Sequence, residues 1–179
     1  MKLTTRRLLL RPPEDGDAEF IFSYASLEKV AFPAGFPRHW KLADARRWVR
    51  AAHREWKSKF PHPMPFTIVL KKSGKPVGGA NLRWPHKGVG EFGYSIHPDH
   101  WGQGYAPEAA RKLIDLAFSK NGAHRVQATC WVKNTRSARV LRKAGLRKEG
   151  RLRGYLKRGD VVRDEFMWGI TREDWLAGR

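Results

Sequence analysis

The chain of 179 residues carries a single cysteine, Cys130. One thiol excludes an intramolecular disulfide and a multi-cysteine zinc site. In the apolar run Val126-Gln127-Ala128-Thr129-Cys130-Trp131-Val132 it reads as a small core residue. No run of about 18 apolar residues exists, so no transmembrane helix is expected. The first 17 residues begin like a signal peptide but hold only three consecutive leucines, Leu8, Leu9 and Leu10. A signal peptide's apolar region needs about 7 to 15 residues, so a cytoplasmic protein is the expectation. Acids are scarce too: 17 Asp and Glu against 36 Lys and Arg leave a formal charge of +19. Such a surface attracts polyanions, whether nucleic acid, acidic lipid, phosphorylated cofactor or acidic protein, and charge alone does not choose among them. With 41% hydrophobic residues the chain buries a core and is not wholly disordered. Its length fits one domain, residues 1–179.

The apolar spacing predicts a mixed α/β order. Residues 8–10 read as a strand stopped by Pro12 and Pro13. Ala18, Ile21, Phe22 and Ala25 predict a helix over 14–27, with Glu14, Asp15 and Asp17 at its start. Pro33, Gly35 and Pro37 predict an irregular aromatic loop over 30–40. A second helix follows over 42–60, with Ala45, Trp48, Val49, Ala52 and Trp56 on one side. The period then changes to strands at 66–70, 77–84 and 89–96. A helix with Ala109, Ala110, Leu113, Leu116 and Ala117 on its face ends at Asn121-Gly122. A strand at 126–132, a helix at 134–144, a hairpin of 146–155 and 161–170, and a turn capped through Thr171 and Asp174 complete the chain.

The chemistry concentrates in residues 96–110, where a strand runs through a glycine loop into a helix. The glycines of Trp101-Gly102-Gln103-Gly104-Tyr105-Ala106 let several N–H groups point at one spot. The helix start adds a partial positive charge, so the segment is an anion cradle or a plain helix-start loop. Pro107 suits a first helical turn. A nucleotide P-loop would need Gly-Lys-Ser/Thr, which is absent. A dinucleotide fingerprint would need a glycine where Pro107 stands.

This segment resembles the acetyl-CoA pyrophosphate loop of the GNAT N-acyltransferases, Gln/Arg-x-x-Gly-x-Gly/Ala, with Gly104 and Ala106 in the last two places. Trp101 departs from that pattern. The departure is similar to the ribosomal-protein-alanine N-acetyltransferase (RimJ/RimL-like) branch, W-G-x-G-Y-A-x-E-A, which residues 101–109 match throughout. A second segment, from Asn134 to Gly150, resembles that family's N-x-x-S-x-x-(V/L)-(L/A)-x-K-x-G-(F/L)-x-x-E-G. The opening from Thr5 to Arg11 and the ending Arg163-Asp164-Glu165-Phe166 with Trp175 also match, so the resemblance spans nearly the whole chain.

The resemblance implies a GNAT fold: a mixed, mostly antiparallel sheet with splayed central strands and flanking helices. It implies acetyl-CoA as co-substrate and an amine acceptor. No metal is expected from the residues: His97 and His100 flank the loop with Asp99 between them, a set on an irregular turn that is more often surface chemistry than a metal site. The strand ending at Tyr94, Ser95 and Ile96 would pair with the pantetheine arm, and the Ile96 amide would meet the thioester oxygen, where charge builds. The amides of Gly102, Gln103, Gly104, Tyr105 and Ala106 would take the pyrophosphate. Asn134 and Ser137 would face the pantetheine and sulfur, Asn134 doubling as a helix cap. Arg142 and Lys143 would be phosphate partners. Glu91 is the candidate base, on a strand face with Gly93 and Ser95. Ser137 stands in for the acid tyrosine of many members, since no tyrosine lies between residues 106 and 154; Tyr155 and Glu165 are reserves. Trp40 and Trp84 are candidates to line the acceptor site.

Residues 133–158 hold eleven Lys or Arg and one acid, supplying +10 of the +19. That exceeds what one CoA needs. It fits either a solvated face or an acidic acceptor, ribosome or RNA. The expected activity is acetyl transfer to a protein N-terminal amine or a small-molecule amine by direct attack. The alternative is an RNA- or ribosome-binding protein on a GNAT scaffold. Another acyl donor, such as succinyl-CoA, differs only in the acyl pocket. Monomer and homodimer both fit the sequence.

Overall fold

The computed structural model describes residues 1–36, 40–58, 62–158 and 160–178. The strands are β1 (Leu3–Thr4), β2 (Leu8–Arg11), β3 (Met64–Leu70), β4 (Pro76–His86), β5 (Val89–Ile96), β6 (Arg125–Trp131), β7 (Arg147–Arg158) and β8 (Val161–Thr171). The helices are α1 (Asp17–Ala25), α2 (Glu28–Ala34), α3 (Leu42–Lys57), α4 (Tyr105–Ser119), α5 (Thr135–Lys143) and α6 (Arg172–Ala177). All the strands join in one sheet of order β1-β2-β3-β4-β5-β6-β8-β7, antiparallel except where β5 meets β6.

The expected α4 face is the centre of the core: Ala109, Ala110, Leu113, Leu116 and Ala117 are buried against β-strand side chains such as Phe66, Ile68, Leu82 and Phe92. Each large apolar side chain fully buried here contributes roughly 1.5–3 kcal/mol. A second cluster packs α1 on α3 through Ala18, Ile21, Ala25, Ala45 and Val49. Thr171 caps α6 by accepting from the Asp174 amide, as its spacing predicts.

Strand β1 was not expected, and two further stretches differ from the sequence reading. Helix α1 starts at Asp17, and its acid is more than a partner for the helix dipole. The Asp17 carboxylate is buried and accepts from Arg11 Nη1 at 2.7 Å and Nη2 at 2.9 Å, from the Glu14 amide at 2.8 Å and from Thr67 Oγ1 at 2.7 Å. Burial alone would raise this carboxyl; the Arg11 pair and the other donors outweigh it and hold it below its ordinary value.

The expected irregular loop over 30–40 instead begins with α2, which carries Pro33 inside it. Pro33 has no N–H to give the Lys29 carbonyl one turn back, and the helix ends one residue later. Gly35 (φ +82°) closes it, its amide and that of Phe36 both donating to Ala31 O at 2.9 Å. Arg163 on β8 then caps the last turn, donating to Phe32 O at 2.5 Å and Pro33 O at 3.2 Å. Pro37 lies outside the described residues.

Candidate active site

Strands β5 and β6 pair in parallel over only three positions, Val89↔Arg125, Gly90↔Val126 and Glu91↔Gln127. Beyond Glu91 they part, and the gap opens toward the glycine loop. The ladder on the other side fixes which groups face the gap. The His97 amide donates to Val77 O at 2.9 Å, and the β4–β5 register runs unbroken from Gly78↔Ile96 to Arg83↔Glu91. Hydrogen-bonded and free residues alternate in an antiparallel pair. The backbone groups of Phe92, Tyr94 and Ile96 therefore point away from β4, into the gap. Glycine at position 78 lets the strands close at this point, because a Cβ would sit 2.2 Å from Ser95 O.

The loop above the gap is held by its own tryptophan. Trp101 Nε1 donates to Ile96 O at 2.7 Å. Gly102 and Gly104 both lie at φ +78°, the left-handed region that L side chains avoid. Gly104 caps α4 without any side-chain acceptor, so the first amides of the helix stay available to a ligand. Gly102, Gly104, Tyr105 and Ala106 line a cleft of about 1560 Å³ together with residues 91–96, Ala128–Trp131 of β6 and the start of α5. Gln103 is exposed and is not among the cleft-lining residues.

Asn134 is the N-cap of α5, its Oδ1 accepting from the Ser137 amide at 3.0 Å. Ser137 Oγ shares a 2.8 Å hydrogen bond with the Tyr94 hydroxyl. The sequence reading gave Tyr94 only a backbone role, yet its side chain crosses to α5. Burial pushes this phenol well above its ordinary value, with the Ser137 hydrogen bond opposing that rise in part. Buried Cys130 also lines the cleft, and burial raises its thiol.

Glu91 is buried and lines the cleft. Its Oε1 accepts from Arg83 Nε at 3.0 Å and from Arg83 Nη2. Its Oε2 accepts from Gln127 Nε2 at 3.0 Å. An ionised carboxylate has about four lone-pair sites, and three are taken, so one on Oε2 remains.

Of the α5 cations, Arg136, Arg139 and Lys143 line the cleft, and Arg142 is absent from its lining. Helical spacing explains the division: i, i+3 and i+7 share a face that Arg142 leaves. Arg136 also stacks over Trp101, 4.6 Å from the ring centre. Trp101 and Trp131 line the cleft, whereas Trp40 stacks on Phe36 in the α1–α3 cluster and Trp84 packs on the main core. Tyr155 and Glu165 both line the cleft. Glu165 is buried beside Arg163, Oε1 lying 2.7 Å from Nε. The sequence reading held Glu165 as a reserve acid and both residues as part of the matching ending, without pairing them. Among the described residues, no group of three or more His, Cys, Asp and Glu gathers as a metal site, and no helix is long and apolar enough to cross a membrane.

A parted strand pair, a left-handed glycine loop and a helix start together frame this cleft. Comparison with known proteins shows the family. The chain matches the acetyltransferase (GNAT) domain family model over residues 7–147. It is 30% identical to the uncharacterized N-acetyltransferase YnaD of Bacillus subtilis (strain 168), over 98% of this chain and 99% of that one. It is 33% identical to the [ribosomal protein uS5]-alanine N-acetyltransferase of Escherichia coli (strain K12), over 100% and 95%. The crystal structure of a GNAT-family acetyltransferase from Bacillus anthracis matches with a TM-score of 0.85 at 28% identity, covering 97% of this chain and 99% of that one. The chain belongs to the GNAT acetyltransferase family, and is an acetyl-CoA-dependent N-acetyltransferase.

Proposed function

We propose that the chain acetylates a primary amine, a protein N-terminal amine or a small-molecule amine, by direct attack with both substrates bound in the cleft. The observation that carries this reading is the parting of β5 and β6 after Glu91↔Gln127, directly below the loop of Gly102 to Ala106. Unpaired β-edge groups fit a pantetheine amide chain, and left-handed glycines at a helix start fit a diphosphate. Acetyl-CoA supplies the acyl group as a thioester.

The residues divide the work. The Ile96 amide faces the gap and stabilises the charge that builds on the thioester oxygen. Glu91 accepts the amine's proton on its remaining lone pair, because an ammonium cannot attack; Arg83 and Gln127 hold it in place. Tyr94 and Ser137, joined by their 2.8 Å hydrogen bond, hand a proton to the departing thiolate. The amides of Gly102 to Ala106 hold the diphosphate, with Arg136, Arg139 and Lys143 on the neighbouring face of α5 for the outer phosphate. Asn134 fixes the start of α5 and borders the pantetheine. The acceptor enters between α2 and the β7–β8 hairpin, which Arg163 ties together.

Thiol release from acetyl-CoA with a panel of amines and N-terminal peptides tests the reading. Glu91→Gln is expected to lower kcat near neutral pH by about 10²–10⁴-fold while CoA affinity stays within about twofold. Normal turnover by Glu91→Gln would remove the base assignment. No calorimetric binding of CoA by the wild-type chain would remove the whole reading.

A further inference from the structure

The first turn of α4 carries an acid, Glu108, on the helix whose start is proposed to hold a diphosphate. An uncompensated carboxylate there opposes an anion. The structure shows where its charge goes. Glu108 Oε1 accepts from Thr5 Oγ1 at 2.6 Å and from the Arg7 amide at 2.9 Å, and Oε2 accepts from Arg7 Nε at 2.7 Å. These partners sit in the turn between β1 and β2, about a hundred residues away in sequence. Arg7 also reaches the loop itself. Its Nη1 donates to Gln103 O at 2.9 Å, and its guanidinium lies 4.7 Å from the centre of the Tyr105 ring. A Cβ on Gly104 would meet its Nη2 at 3.3 Å. One side chain therefore touches the acid, the loop carbonyl and the helix's first ring, and occupies the side of Gly104 where a Cβ would stand.

We propose that Arg7 is a positioning residue for the CoA loop: it neutralises Glu108 and braces Gln103 and Tyr105, so that the start of α4 accepts a diphosphate. This rests on the reading of the loop as the CoA site. The hydrogen bonds around Glu108 outweigh its burial and hold its carboxyl below the ordinary value, so the acid needs this partner throughout the working pH range.

The test compares CoA with pantetheine, which lacks every phosphate, on the full chain. Arg7→Met is expected to weaken CoA about tenfold by calorimetry, and to raise KM for acetyl-CoA with kcat little changed. Turnover of S-acetylpantetheine is expected to stay within about twofold, because no anion meets the loop. Adding Glu108→Gln to Arg7→Met is expected to restore most of the CoA affinity, since the stranded charge is then gone. Arg7→Lys, which keeps the charge, is expected to lose less than Arg7→Met, and serves if Arg7→Met does not fold. Unchanged CoA affinity in Arg7→Met, equal losses with both thioesters, or no rescue by Glu108→Gln would overturn the proposal. If the wild-type chain binds CoA no better than pantetheine, the loop reading itself fails, which is a separate result.

Discussion

Gly104→Ala isolates the demand that the loop places on the backbone. A Cβ at this position meets only Arg7 Nη2, at 3.3 Å, a contact that a shift of a few tenths of an ångström relieves. The cost comes from φ +78°, which an L residue adopts at roughly 1–2 kcal/mol. That cost can appear in two places. If the loop keeps its shape without ligand, the folded state loses the full amount, and the melting temperature falls by about 2–4 °C for each kcal/mol. If the loop relaxes and CoA must pull it back, stability is kept and the CoA dissociation constant rises about 5- to 30-fold. Thermal unfolding and CoA calorimetry on one preparation measure both shares, and their sum is the quantity predicted. Gly102→Ala has the same φ and nothing within 4 Å of the added carbon, so its sum should match without any contact. A sum below about 0.5 kcal/mol for Gly104→Ala would refute a left-handed requirement at this loop.

Further substitutions test other parts of the framework. Asp17→Ala leaves the half-buried Arg11 only Glu14 and the Pro12 carbonyl as partners and should cost about 3–5 kcal/mol in chemical unfolding. Because Asp17 is held below its ordinary value of about 3.9, its stabilisation is complete above that pH and is lost as pH falls through the lowered value. Asp17→Asn should therefore flatten the acid limb of the wild-type stability profile below about pH 5; an unchanged limb would place the acid sensitivity elsewhere. Tyr94→Phe removes the hydroxyl that meets Ser137 and should lower kcat with CoA affinity intact; equal kcat would remove the phenol from the proton path. Gly78→Ala forces β4 off Ser95 O and should destabilise by about 1–3 kcal/mol, read by urea unfolding.

Much of this architecture was legible in the sequence, for reasons that are local. The β5 bounds, 89–96, follow from apolar content between turn residues, and the α4 face follows from spacing of three and four. Asn134 and Thr171 cap the helices their positions predict. Helix α2 was not legible: Pro33 and Gly35 argue against a helix locally, and the groups that complete it come from Arg163, 130 and 131 residues away. Tyr94 was read through its backbone because the residue that defines its side chain, Ser137, lies 43 positions along. Strand β1, two residues long, is too short for any period to reveal.

By itself the sequence determined the glycine loop, the capped helices, the apolar faces and the positive charge, because φ preferences and side-chain periods act between near neighbours. Only the tertiary structure decided where β5 leaves β6, that Arg83 and Gln127 hold Glu91, that Tyr94 meets Ser137, and that Arg7 answers the acid of α4. Each of those is a contact between distant segments, set by the order in which strands add to one sheet.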